Sequence, residues 1–279
     1  MNKTRHIKSN KNGFTLVELL IAMAISGIVA GAIFTAFQSQ QKSYLIQEQV
    51  TEMQQNIRAA MDIMIRDIRM AGYDPTQSSG ANISTNSTGI MIQVTMDINS
   101  DDDCNDSNEN ITYGFSNAND ANADGIADAG AANLGRKVGG GGFQPLAENI
   151  EAIGFAYASV DASTGNLGKS PNGHVIWAVD TDGNGNWDNL DTSDDGNITA
   201  ADGPGTGNNG VINGTTTGTA VNTDMIRAVR IWILARAAMP DPNFRNTRTY
   251  VVGKNVITPN DGFRRRLLST TVKCRNMGI

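Results

Sequence analysis

Hydrophobic residues follow a helical period through the N-terminal part of the chain. Positions 14–37 are apolar apart from Glu18 and a few small polar residues, and at about 1.5 Å per residue such a helix spans a hydrocarbon core of roughly 30 Å. Beyond it, apolar residues recur at three- and four-residue steps over 46–71, and the glycine and proline of 72–75 end the pattern. We expect one continuous helix, with its first half in lipid and its second half packed on a domain.

After residue 75 the pattern changes to the alternation that is typical of strands. In DMIRAVRIWILARA (224–237), Val229, Ile231 and Ile233 lie on one face, whereas Arg230 and Arg236 lie on the other, where we expect them to be solvated. The sequence predicts strands at 90–98, 111–115, 150–159, 175–179, 225–235, 249–252 and 266–274. The fold class is therefore α+β, a long N-terminal helix packed on an antiparallel sheet with long Asp/Asn/Gly-rich loops.

Composition narrows the functional classes. The chain has 279 residues and a net charge of −6, without a basic stripe beyond its ends, which argues against a nucleic-acid partner. Its two cysteines, Cys104 and Cys274, are too few for a zinc cluster. If the domain lies outside the cytoplasm they are expected to form a disulfide, and otherwise they are two unrelated thiols.

The charges around the apolar segment predict its orientation. Lys3, Arg5, Lys8 and Lys11 precede it without an acidic residue, so the N-terminus stays cytoplasmic and the remainder is exported. A secretory signal peptide would have a shorter apolar core and a small-residue cleavage site. A plain signal anchor leaves Glu18 unexplained, because a carboxylate in lipid costs several kcal/mol unless it is paired.

The sequence Gly-Phe-Thr-Leu-Val-Glu at 13–18 resembles the type III signal of type IV prepilins and pseudopilins. The resemblance implies that a prepilin peptidase cleaves after Gly13 and that Phe14 becomes an N-methylated N-terminus. It also implies that the chain passes from the inner membrane, with a periplasmic domain, into a cell-surface pilus, where it contacts other pilins through this helix. Glu18 would then neutralise the α-ammonium of Phe14, its own or its neighbour's, in a low-dielectric core.

Further segments resemble the PilW-type minor pilins, which are related to the J-type minor pseudopilins of type II secretion. These segments are MIRDIRMAGYDP, LAENIEAIGFAYA, AVRIWILARA and FRRRLLSTTVKCRNMG. The resemblance implies a pilin fold, with a leader (1–13), a transmembrane and filament-core half of the helix (14–37), an amphipathic half (38–72) and a β-rich globular domain (73–279). Its implied role is to initiate or cap a pilus, and the alternative is a pilus-tip adhesin or a minor pseudopilin.

Acidic loops in the globular region follow the spacing of calcium ligands. A calcium loop places oxygen ligands at positions 1, 3, 5, 7, 9 and 12, with glycine at position 6. The first match fills all seven places: Asp180, Asp182, Asn184, Gly185, Asn186, Asp188 and Asp191. The only departure is aspartate instead of glutamate at position 12, so the sequence predicts a calcium site here that stabilises the fold.

Two more loops follow the same spacing. One shares Asp191 and continues with Ser193, Asp195, Gly196, Asn197, Thr199 and Asp202; the other contains Asp120, Asn122, Asp124, Gly125, Ile126 and Asp128, with Ala131 at position 12. All three resemble the DxDxDG calcium loops of dockerin-like and thrombospondin-like repeats. Aspartate, asparagine and glycine also favour plain turns, so a solvated loop without an ion remains the alternative.

The sequence does not favour catalysis. Leader cleavage would leave His174 as the only histidine, which excludes most histidine-dependent and zinc chemistry. The acidic loops do not specify two carboxyl groups that face each other across a cleft, and VGGGG does not follow the phosphate-binding pattern between a strand and a helix. We expect a structural subunit.

Overall fold

One long helix and an antiparallel sheet make up most of the described chain. The computed structural model describes residues 13–160, 165–170, 173–191, 198 and 222–277. Helix α1 spans Leu16–Met70, close to the predicted bounds. Contacts within the chain separate two units, Met1–Glu48 and Gln49–Ile279. In the first unit, the large apolar side chains of α1 are exposed from Leu16 to Phe37, as expected of a helix whose surroundings are apolar.

Ten strands follow the helix in the described residues. They are β1 (Ile92–Thr95), β2 (Asn110–Gly114), β3 (Ala132–Val138), β4 (Gln144–Ser159), β5 (Ala178–Val179), β6 (Asn189–Leu190), β7 (Ile226–Arg236), β8 (Tyr250–Val252), β9 (Asn255–Ile257) and β10 (Arg265–Lys273). Every pairing between them is antiparallel. Strands β1 to β6 pair in chain order, and β7 lies between β4 and β10. Strands β8 and β9 form a separate hairpin.

The second half of α1 covers one face of the sheet. Its buried residues recur at three- and four-residue steps, and they pack against Val229, Ile231 and Ile233 of β7, the face that the alternation predicted. The buried helix residues are Met53, Ile57, Ala60, Met61, Met64 and Ile68. A polar contact adds to this packing, since Asp67 of α1 accepts hydrogen bonds from Tyr113 of β2 and Arg136 of β3. The structure thus confirms the α+β fold class.

The opposite face of the sheet is also buried, contrary to the expectation of a solvated face. Trp232 and Leu234 of β7 pack there with Trp177, and with Tyr250 and Val252 of the β8–β9 hairpin. Arg230 is half-buried, and its guanidinium lies 5.0 Å from the Trp232 ring centroid and 5.8 Å from that of Trp177. The prediction of a solvated face was wrong for this strand. The alternation within β7 does not show whether its second face is covered, because the covering residues belong to other segments of the chain.

The predicted strands were incomplete at several places. Strands β3, β6 and β9 were not predicted, and β4 begins at Gln144 instead of residue 150. Leu134 is the only large apolar side chain of β3 that is buried, so the strand lacks a clear alternation. At the other end, the predicted strand at 175–179 is reduced to Ala178–Val179, although Val175 forms an isolated bridge with Lys169.

A buried ion pair joins β10 to β4. The Arg265 side chain is 2% exposed, and its guanidinium donates to Glu151 at 2.6 Å and to both carboxylate oxygens of Asp261 at 2.6 and 2.7 Å. A buried guanidinium with carboxylate partners satisfies its donors, so these two acids hold the start of β10 in place. The second arginine of FRRRLL, Arg265, therefore has a structural role.

Candidate functional site

The start of α1 is capped by reciprocal hydrogen bonds between Thr15 and Glu18. The Glu18 carboxylate accepts from the Thr15 backbone N–H at 2.8 Å and from the Thr15 hydroxyl at 2.9 Å. In return, the Glu18 N–H donates to the Thr15 hydroxyl at 3.2 Å. This is a capping box, in which a threonine and a glutamate three residues later satisfy N–H groups that have no partner inside the helix. Glu18 is thereby held within one turn of Phe14.

The same segment has the composition of a membrane span. Within the described residues, α1 contains a window with a mean hydropathy of 2.3, and none of that window is buried. Phe14 is 91% exposed, directly before the capped end. Gly13 and Phe14, the predicted cleavage and methylation positions, therefore lead into an exposed apolar helix.

The loop at 180–188 connects β5 to β6 and is folded around the carboxylate of Asp180. Asp180 is 1% exposed and accepts from the Gly183 N–H at 2.7 Å and the Gly185 N–H at 2.8 Å. Asp188 accepts from the Thr181 N–H at 2.6 Å, which closes the loop. Both glycines have positive φ, which is why glycine is favoured at these turns.

Three carboxylates of this loop meet. Asp180, Asp182 and Asp188 each contribute an oxygen, and these oxygens lie within 4.8 Å of one another. Burial raises the pKa of Asp180, and the carboxylates of Asp188 and Asp182 raise it further, against the lowering effect of its backbone hydrogen bonds. The positions are three of the six that the calcium spacing predicted, and carboxylate oxygens at this separation suit a hard divalent cation.

The remaining predicted ligands of the loop are only partly described. Asn184 accepts from the Asn186 N–H at 2.8 Å, and its own side-chain amide donates to Asp182 at 2.9 Å. Asp191, at position 12, is buried, and its N–H donates to the Trp177 carbonyl at 2.8 Å. The predicted ligands of the loop that begins at Asp191, namely Ser193, Asp195, Asn197 and Asp202, lie outside the described residues, and so does Thr199.

The loop at 120–128 has a similar backbone. Asp120 is buried and accepts from the Asp124 N–H at 3.1 Å and the Gly125 N–H at 2.8 Å. Asp128 accepts from the Ala121 N–H at 2.8 Å. The Asn122 amide donates to Asp124 at 2.9 Å. Among the described residues, the acids of this loop do not form a group with oxygens as close as those of the 180–188 loop.

A further acidic group was recognised only in part from the sequence, where the run at 101–103 could add ligands but Glu109 was not identified. Asp101, Asp103 and Glu109 bring one oxygen each within 4.8 Å of one another, between β1 and β2. The run of aspartates at 101–103 was visible, but its spacing follows no known ligand pattern. Glu109 joins it only because the fold returns the chain to this point, so the one available signal was an excess of acidic residues.

The two cysteines are free thiols in the structure. The Cys104 thiol donates to the Ser79 carbonyl at 3.8 Å, whereas Cys274 follows β10, with its N–H donating to the Arg227 carbonyl. Burial raises the pKa of Cys104 and raises that of Cys274 to about 12. Their disulfide stays a prediction, and as thiols they are poor nucleophiles at neutral pH.

Two protein-family models match the chain. The model described as the prokaryotic N-terminal methylation motif covers residues 8–34, and the model described as type IV pilus-assembly protein W covers residues 119–276. Among curated proteins, none matches the chain. Among solved structures, the chain is similar to a type IV-like pilin from Thermus thermophilus, with 16% identity and a TM-score of 0.39 over 81% of this chain and 96% of that one.

Proposed function

Because the chain belongs to the type IV pilus-assembly protein W (PilW) family and carries the N-terminal methylation motif of such minor pilins, we propose that it helps to initiate or cap a pilus. Before assembly it is anchored in the inner membrane with its globular domain in the periplasm. A prepilin peptidase removes residues 1–13 and methylates Phe14. The family and the fold are those of structural subunits rather than enzymes.

The capped start of the exposed apolar helix is the observation that carries this proposal. Glu18 is bound to Thr15, one residue from the amino group that cleavage after Gly13 would create at Phe14. In a bundle of apolar helices an unpaired carboxylate costs several kcal/mol, so a cation beside it is strongly favoured. The new α-ammonium supplies that cation, either from the same subunit or from its neighbour.

Two substitutions of Glu18 separate its charge from its capping role. Glu18→Gln retains a side-chain oxygen that can accept from Thr15, but it removes the charge, whereas Glu18→Ala removes both. In cells that make pili, we expect both variants to be cleaved and neither to enter filaments, as measured by immunoblots of sheared filaments and membranes. Glu48→Gln, an exposed site on the same helix, is the matched control and should assemble normally.

Mass spectrometry of the membrane-extracted protein tests the processing step. We expect a chain that begins with N-methyl-phenylalanine at position 14. A chain that retains its first thirteen residues, or a Glu18→Gln variant that enters filaments as well as the unaltered protein, would contradict the assembly role. Deletion of the gene distinguishes the functions: lost filaments indicate initiation or capping, and normal filaments with lost attachment indicate an adhesin.

We further propose that the 180–188 loop binds calcium and that the ion stabilises the globular domain. The convergence of Asp180, Asp182 and Asp188 supports this proposal. Three carboxylates this close repel one another, and a divalent cation removes the repulsion. Terbium can replace calcium as the probe, because Trp187 lies beside Asp188 in the sequence and can sensitise its emission.

The terbium experiment uses the full-length protein in detergent. We expect emission on excitation of tryptophan, its displacement by excess calcium and its loss in Asp182→Asn. Trp187→Phe should also abolish emission while calcium still raises the unfolding temperature, which identifies the loop as the source of the signal. Emission that persists in both variants, or that calcium does not displace, would contradict the site.

A further inference from the structure

The segment from Asp97 to Glu109, here called the acidic loop, joins β1 to β2. It contains the six acids Asp97, Asp101, Asp102, Asp103, Asp106 and Glu109, and no lysine, arginine or histidine. Two of these acids are buried: Asp97 is 0% exposed and Glu109 is 1% exposed. Buried carboxylates need hydrogen bonds or a cation, so the partners of these two decide what the loop can bind.

Backbone N–H groups satisfy both oxygens of Asp97. One oxygen accepts from Ser100 at 2.6 Å and the other from Asp102 at 3.3 Å. The Asp97 N–H in turn donates to the Tyr73 carbonyl at 2.7 Å, which connects the acidic loop to the segment that directly follows α1. Asp97 therefore has a complete structural explanation as the acid that folds the loop.

Glu109 is satisfied on one side only. Its Oε1 accepts from the Ile98 N–H at 2.8 Å and the Asn99 N–H at 3.3 Å, whereas its Oε2 is buried without a hydrogen-bond partner. No basic side chain in the described part of the chain forms an ion pair with it. A buried acceptor without a partner is destabilising, and more so when the group is charged. Oε2 is therefore an acceptor that a bound cation would satisfy.

The position of Glu109 indicates where that cation would lie. Asp101 and Asp103 each bring an oxygen within 4.8 Å of a Glu109 oxygen and of each other. Neighbouring groups hold both aspartates: the Asn99 amide donates to Asp101 at 2.9 Å, and the Asn105 N–H donates to Asp103 at 2.8 Å. The arrangement brings three carboxylates together at the buried Glu109.

We propose that Asp101, Asp103 and Glu109 bind a calcium ion at a second site, separate from the 180–188 loop. An all-oxygen set of three carboxylates suits a hard divalent cation such as calcium. The ion would satisfy Glu109 and close the acidic loop, whose other end contacts Tyr73 after α1. This site does not depend on the role in pilus assembly or on ion binding at Asp180.

Equilibrium dialysis of the full-length protein in detergent, with radioactive calcium, tests the second site. We expect Glu109→Gln to lower the number of bound ions by one and to reduce the rise in unfolding temperature that calcium produces. Terbium emission sensitised by Trp187 should stay unchanged, because that signal belongs to the other loop. Glu148→Gln, an exposed acid on β4, is the control and should change neither measurement.

A second variant keeps the test valid if Glu109→Gln fails to fold. Asp101→Asn and Asp103→Asn, made together, leave the buried glutamate in place and should also remove one bound ion. Full calcium binding in a folded Glu109→Gln protein, or in the double variant, would overturn the second site. Asp182→Asn should remove terbium emission but leave the Glu109-dependent ion, so that failure at one site is distinguished from failure at the other.

Discussion

The loops at 120–128 and 180–188 have the same pattern of closure but different arrangements of charge. In each, the first aspartate accepts from the N–H of the glycine five residues later, at 2.8 Å in both loops. In each, the aspartate eight positions after the first accepts from the second residue of the loop, at 2.8 Å in one loop and 2.6 Å in the other. The shared calcium-like spacing thus produces the same kind of turn in both loops.

Aspartate and asparagine exchange places at the third and fifth positions, and the 120–128 loop also has Ile126 and Ala131 at positions 7 and 12, where the other loop has Asn186 and Asp191. The 180–188 loop has Asp182 and then Asn184, and Asp182 meets the other two carboxylates. The 120–128 loop has Asn122 and then Asp124, which accepts local hydrogen bonds as Asp182 does but belongs to no such group of three carboxylates among the described residues. The spacing therefore predicts the turn, whereas ion binding also requires that carboxylates converge.

The two loops also differ in what surrounds their glycines. A Cβ atom on Gly125 would lie 2.7 Å from the Ile90 side chain and 2.8 Å from the Ile153 carbonyl, whereas a Cβ on Gly185 would meet nothing within 4 Å. The Gly125 carbonyl also accepts from the Ile153 N–H at 2.9 Å. The 120–128 loop is therefore hydrogen-bonded to β4 and packed closely at its glycine, whereas the 180–188 loop has open space at Gly185.

The largest expected effect comes from placing alanine at each glycine. Both glycines have positive φ, which costs an alanine about 1 kcal/mol, and Gly125→Ala adds a collision with a backbone carbonyl. We expect Gly125→Ala to lower the free energy of unfolding by about 3 kcal/mol or more and Gly185→Ala by about 1 kcal/mol. Urea denaturation followed by tryptophan fluorescence measures both.

Each glycine variant serves as the matched control for the other. Both measurements are made in the presence of a chelator, so that ion binding does not add to the difference. Equal losses in the two variants would mean that the 120–128 loop is not held against β4 as the structure shows.

The next largest expected effect is a loss of stabilisation by calcium when the aspartate and asparagine at 182 and 184 are exchanged. Asp182→Asn with Asn184→Asp gives the 180–188 loop the order found at 120–128 without changing its net charge. We expect this variant to lose the stabilisation that calcium provides at the 180–188 loop, which is about 2.7 kcal/mol when free calcium is a hundred times the Kd of that site. Thermal unfolding with calcium and with chelator measures the loss.

The reverse exchange in the other loop completes this test. Asn122→Asp with Asp124→Asn should fold, and it should leave the calcium response of the 180–188 loop unchanged. If the exchange at 182 and 184 left the response of the protein to calcium intact, the convergence of carboxylates would not be what selects the ion.

Particular residues show how far the sequence predicts this fold. The stripe along α1 and the alternation of β7 predicted which sides meet, because both depend only on the period of the side chains. The cover over Trp232 was not predicted, since Tyr250 and Val252 come from a short hairpin that is remote in the sequence. The predicted strand was shorter than β4 because Pro145, Glu148 and Asn149 interrupt the apolar pattern before Ile150.

The candidate sites also differ in how far the sequence predicts them. The 180–188 ligands follow a local spacing, so a single stretch of sequence was enough to propose them. Glu109 could not be identified in this way, because its role depends on burial and on a contact with Asp101 and Asp103 across a fold of the chain. The sequence distinguished the two similar loops only by Ala131 at position 12 of the 120–128 loop, since convergence of carboxylates is a property of orientation rather than of spacing.

The smallest expected effect is a dependence of stability on pH that calcium removes. Burial raises the pKa of Asp180, with the nearby carboxylates adding to it, so the folded protein binds this proton more tightly than the unfolded chain. Without calcium, the contribution of Asp180 to stability should therefore fall as the pH rises from about 4 through the raised pKa. With calcium, the ionised form is bound and this decline should disappear.

Urea denaturation at a series of pH values, with calcium and with chelator, measures this effect. Asp180→Asn is the control, because asparagine does not titrate. Its stability should lack the calcium-sensitive part of the decline, whatever it loses by giving up one backbone hydrogen bond. If the unaltered protein and Asp180→Asn showed the same pH dependence in chelator, the buried carboxylate would not be the group that distinguishes this loop from the one at 120–128.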